Sequence, residues 1–125
     1  MAEIRVVLSN RPRMARELLR RVLSAQVDFE VVAEVLEPVE LLVTVKRSGA
    51  EAVIVTLPES REDPGIISHL LSEFPDLTVL ALSPNCTEAA VYRREIHRRD
   101  VFRLTGDDIF ELLGAASHAG ERSGH

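Results

Sequence analysis

Five short apolar runs are spaced along the chain with helix-patterned segments between them, and no other feature constrains the fold as tightly. The runs are IRVVL (4–8), EVVAEV (30–35), EAVIVTL (51–57), LTVLAL (77–82) and VFRL (101–104). Each is short and largely apolar, IRVVL and EAVIVTL are mostly β-branched, and turn-forming or polar residues bound each run, so each reads as a strand. EAVIVTL is the most apolar, as a central strand covered on both faces should be. Parallel neighbours need a connection long enough for a helix, and every gap here is that long.

The gaps carry helical signals. Asn10 can cap a first helix, and Pro12 is tolerated in its first turn because the missing N–H had no partner there. Met14, Leu18 and Val22 form its apolar stripe, with Leu19 and Leu23 beside it and the arginines largely outside. Glu37-Pro38 opens a second helix through about Arg47, with Gly49 as its stop signal. Pro58 to Gly65 is a polar loop, Ile66 to Phe74 a third helix, and Pro75-Asp76 ends it. Thr87 can cap a fourth helix running to about Arg98, with Glu88 in its first turn. Asp107 or Asp108 starts a fifth, through about Ser117. Strands alternating with helices predict an α/β fold: a flavodoxin-like (βα)5 three-layer sandwich around a parallel five-stranded sheet of order 2-1-3-4-5. The domain is expected over residues 1–117, and 118–125 reads as a disordered tail or the stub of a linker.

Composition excludes several classes. A chain of 125 residues suits one domain with a real core. The single cysteine, Cys86, allows no internal disulfide, and no run approaches the length of a membrane span. With too short an apolar start for a signal peptide, the expected location is the cytoplasm. A net charge of −5 disfavours direct nucleic-acid binding. The four histidines, at 69, 97, 118 and 125, show no HxxxH or HExxH spacing, and no metal or cofactor is expected. GxSxG is absent, and so is GxxxxGK[ST].

In parallel α/β sheets, function gathers at the carboxyl ends of the strands. Those ends carry Ser9-Asn10, Thr56, Ser83 and Thr105. The first loop, SNRPR, lacks the glycines that let backbone N–H groups approach a phosphate.

Several phrases, in order, resemble the receiver domains of two-component response regulators. IRVVL-SN-RPRMARELLRRVL is similar to their first strand and helix. VDFEVVAEV resembles the second strand of a subgroup that often carries a DNA-binding helix-turn-helix. FPDLTVLALS resembles the fourth strand with its terminal hydroxyl. DVFRL resembles the fifth, with Phe102 at the aromatic switch position. The resemblance spans about Glu3 to Ser117. It implies an acyl phosphate on an aspartate closing the third strand, Mg²⁺ held by an acidic pair after the first, and a hydroxyl and a lysine on the phosphoryl group. Here the acidic pair falls on Ser9 and Asn10, the nucleophile on Thr56, the hydroxyl on Ser83, and the lysine on Thr105, or on Arg103 if the register slips by two. No shift within the first loop brings in an aspartate. The resemblance therefore implies a degenerate pseudo-receiver, not an enzyme, that works by protein–protein contact in bacterial signalling or transcription control. It could be the regulatory half of a longer transcription factor.

Two surfaces bear on partners. Arg94, His97 and Arg98 would share a face of the fourth helix, and Asp107, Asp108 and Glu111 would lie at the start of the fifth. A two-fold axis through helix four, strand five and helix five would pair basic with acidic, giving a homodimer. The plainer reading is solvated helix faces. Likewise Thr56 and Ser83 could simply bond nearby backbone. The alternative from another class is a sensor or enzyme that takes a small polar ligand in the strand-end pocket.

Overall fold

The first four strands form as the sequence predicts, with buried apolar residues along the first, third and fourth and only half-buried ones along the second. The computed structural model describes residues 3–94 and 98–122, with side chains described as far as Gly114. β1 (Ile4–Ser9) pairs in parallel with β2 (Phe29–Glu34) on one side and β3 (Ala52–Thr56) on the other, and β3 pairs in parallel with β4 (Thr78–Leu82). Between them run α1 (Arg13–Ser24), α2 (Pro38–Ser48) and α3 (Ile66–Glu73). Gly49 closes α2 at φ 65°, a left-handed cap that suits a residue without a side chain.

The second half departs from the (βα)5 expectation. The described residues of the expected fourth helix form none, and β5 (Glu88–Tyr92) turns back to pair antiparallel with β4. β6 (Arg99–Phe102) then pairs antiparallel with β5, and α4 (Gly106–Arg122) follows. Among the described residues the sheet has six strands in the order β2-β1-β3-β4-β5-β6. The architecture is three-layered, mixed α/β and broadly flavodoxin-like, with an antiparallel end in place of a fifth parallel unit.

A tight hairpin forces this reversal. Ser83 N–H donates to the Glu88 carbonyl at 2.8 Å, and Glu88 N–H donates to Ser83 Oγ at 3.0 Å. Cys86 sits between them at φ 63°. The run Ala89 to Tyr92 is then buried at every position. Four consecutive helical residues point nearly all round the axis, so a surface helix cannot bury them all. A strand with both faces covered can.

The faces separate cleanly. Val6, Leu8, Ile54, Leu80 and Val91 pack with Leu19 and Leu23 of α1 and Ile109 and Leu113 of α4. Val7, Val53, Val55, Val79 and Tyr92 pack with Leu41 and Val45 of α2 and Ile67 and Leu70 of α3. In α1 the buried stripe is Ala15, Leu19 and Leu23, not the predicted Met14–Leu18–Val22; Met14 is 66% exposed. The two lines lie one residue apart on the helix, and contact with the sheet selects between them.

Candidate functional site

β1, β3 and β4 run in one direction and β6 runs with them, so their carboxyl ends share one edge of the sheet. The predicted site residues do come to this edge, but not into one pocket. Asn10 is fully buried, and its Nδ2 lies 3.4 Å from Thr56 Oγ1, a long hydrogen bond. Asn10 is not the cap of α1: Pro12 holds that position, and no side chain caps the helix. Ser9 and Thr56 line a cavity of about 230 Å³ beside the starts of α2 and α3.

Ser83 is held elsewhere. Its Oγ donates to Asn85 Oδ1 at 2.9 Å and accepts from the Thr87 and Glu88 N–H groups, so it serves the hairpin. It faces a separate cleft of about 260 Å³ with Arg61 and Glu88. Thr105 forms a reciprocal cap on α4: its N–H donates to Asp108 Oδ2 at 2.9 Å, and Asp108 N–H donates to its Oγ1 at 3.2 Å.

The predicted basic helix face is not formed. Arg94 is exposed in a turn, and His97 lies outside the described residues. Arg98 enters an ionic network that sequence reasoning missed. Its guanidinium contacts Asp63 at 2.6 Å and Asp100 at 2.8 Å, and donates to the Arg61 carbonyl at 2.8 Å. Arg61 pairs with Glu88 and, at 2.6 Å, with Asp100. Its guanidinium also lies 4.7 Å from the ring centre of Phe102, the predicted switch aromatic, which is 61% exposed. Tyr92 Oη donates to Asp63 at 2.8 Å. Together these contacts strap the loop between β3 and α3 across β5 and β6.

The network shifts the acidities of its members. The Tyr92 hydroxyl, followed by Arg98, holds the Asp63 carboxyl below the usual carboxylate range. Arg98, followed by burial-opposed help from Arg61, does the same for Asp100. Burial, reinforced by Asp63, pushes the Tyr92 phenol up to about 12. Burial also raises the Cys86 thiol, which suppresses the reactive thiolate. The only advance signal for the network was its composition, a charged loop at 59–63 and an Arg-Arg-Asp run at 98–100. Nothing local says that the two meet.

Of the predicted acidic strip, Asp107 and Asp108 sit in the first turn of α4, with Glu111 one turn on, and Asp108 is committed to the cap. Among the described residues no three His, Cys, Asp or Glu side chains form a metal-ligating group, and no helix is long and apolar enough to cross a membrane. Comparison with protein-family models, with curated proteins and with solved structures returns no match to this chain.

Proposed function

We propose that the chain is a receiver-like module without a phosphoacceptor, acting by contact with another protein. One observation carries the reading. Where the resemblance puts the nucleophile and the metal-holding acids, the strand ends offer a hydroxyl and a buried amide bonded to each other, Thr56 and Asn10. A threonine hydroxyl cannot form an acyl phosphate, and neutral groups give Mg²⁺ little charge to hold it. The 2-1-3-4 order of the first four strands supports the same reading. Contact surface is at hand: Met14 and Leu18 follow one line of α1, and Val39 and Val43 one line of α2, all exposed and apolar.

The test is intact-mass spectrometry after incubation with Mg²⁺ and acetyl phosphate, with an active receiver alongside. The expected result is no added mass while the control gains a phosphoryl group. A stable adduct that disappears in Thr56→Val would overturn the proposal.

A second reading, a small-ligand sensor at the strand ends, is favoured by a separate observation. Asn10 is buried, and its Oδ1 has no hydrogen-bond partner among the described residues. Such a group is costly unless something completes it.

A further inference from the structure

Opposite charges are sorted onto different parts of this chain. Residues 11–21 hold five arginines and one acid, Glu17, whereas residues 28–40 hold five carboxylates and no base. Among the described residues the two groups neutralise each other at one point, the Arg20–Glu34 pair. Arg13 is held by Glu17 on its own helix. Arg11 and Arg21 beside α1, and Glu37 and Glu40 at the start of α2, make no ion pair among the described residues.

The same two places expose apolar side chains. Met14 and Leu18 stand one turn apart on α1, with Arg11 just before them and Arg21 a turn after. Val39 and Val43 stand one turn apart on α2, with Glu37 and Glu40 around Val39. Four of the six large apolar residues exposed among the described residues are thus in these two pairs; the others, Val27 and Phe102, lie on neither helix. The two patches match in spacing and differ in the sign of the charge around them.

α1 packs on one face of the sheet and α2 on the other, so the patches face apart and cannot meet within one molecule. A contact between them joins unlike surfaces of two copies. It leaves one patch unused at each end and can therefore repeat.

We propose that the α1 patch of one molecule docks on the α2 patch of a second copy, so that the chain associates head to tail; the proposal rests on the protein-contact reading and names the partner. Lys46 and Arg47 lie in the last turn of α2 and would meet arginines of α1 if the helices lay side by side in either direction. Crossing at about 50°, the commonest helix packing, confines the contact to the N-terminal halves, where the charges are opposite. Two apolar side chains on each face make a small contact, so the association is weak and salt-sensitive.

The test is sedimentation velocity of the full chain over roughly 10 µM to 1 mM, the range a small interface calls for, at low and high sodium chloride. The wild-type mass is expected to climb with concentration past the dimer and to fall back at high salt. Met14 and Val39 are 66% and 74% exposed, so Met14→Glu and Val39→Gln leave the fold intact while each spoils one patch. Each variant alone should associate about tenfold more weakly than wild type. Mixed one to one, they should recover a complex that stops at the dimer, because each supplies the patch that the other lacks. A wild-type chain that stays monomeric throughout would overturn self-association and leave contact with a different protein standing. A wild-type mass that stops at the dimer, association that either variant leaves unchanged, or mixed variants that stay monomeric would overturn the head-to-tail pairing.

Discussion

Asp100 accepts from two guanidinium groups at once, Arg61 and Arg98, and so joins the loop strap to the sheet edge. Arg61 also holds φ 62°, a left-handed backbone that costs a non-glycine residue roughly 1 kcal/mol and persists only where the surroundings fix it. Asp100→Asn removes the charge that both arginines share. The groups are partly exposed, so the expected loss is modest, about 1 kcal/mol at low salt and smaller at high salt. Urea midpoints of the two proteins at low and high sodium chloride check it; a loss independent of salt would place the effect in packing. At this scale the sequence spoke clearly only where chemistry is a property of the residue itself. Ser9, Asn10 and Thr56 are neutral wherever they sit. Asp63, Tyr92 and Arg98 acquire their meaning from one another across the fold, and no spacing in the chain announces that.

The end of one element decides what Thr105 does. Its hydroxyl and the Asp108 carboxylate close the first turn of α4 reciprocally, which satisfies N–H groups that the helix itself cannot. Thr105→Ala should therefore destabilise the fold by about 1 kcal/mol, the usual cost of losing an N-cap, as measured by urea unfolding. A ligand-contacting threonine with no structural duty would leave the midpoint unchanged. The elements themselves were legible where periodicity and punctuation agreed. Glu37-Pro38 and Gly49 bracket α2 as predicted. The last helix continues to Arg122, beyond the predicted stop near Ser117. The segment after Thr87 misled because Ala89 and Ala90 favour a helix in isolation and Glu88 resembles a first-turn acid. Burial on both sheet faces overrode that preference.

Titration reads the molecule as a whole. The folded chain holds the Asp63 and Asp100 protons less tightly than the unfolded chain does. The stabilisation they give is present above the ordinary carboxylate range, roughly pH 4, and drains away as pH falls through their lowered values. Tyr92 works at the other end: its phenol rises from 10.0 to about 12, so the folded state keeps a proton that the unfolded state releases. That contribution is complete below the unfolded value and disappears as pH climbs through the folded one. Urea midpoints should hold steady through neutrality, falling on the acid side and again on the alkaline side. Tyr92→Phe should flatten the alkaline fall, since the chain has one tyrosine, and also soften the acid-side fall, because the Tyr92 hydroxyl is the main support of the lowered Asp63 value. The three-layer plan and the order of the first four strands were readable because parallel crossovers admit few arrangements. The antiparallel end was not, because a four-residue turn at 84–87 leaves the same alternation of apolar runs as a crossover would. That end also sets the sequence of assembly. β4, β5 and β6 meet through near neighbours in the chain, so closing them costs little loop entropy, whereas β1 must wait for partners brought from far along it. β6 touches no strand but β5 among the described residues, so the meander can open at its outer margin while the parallel half stays shut.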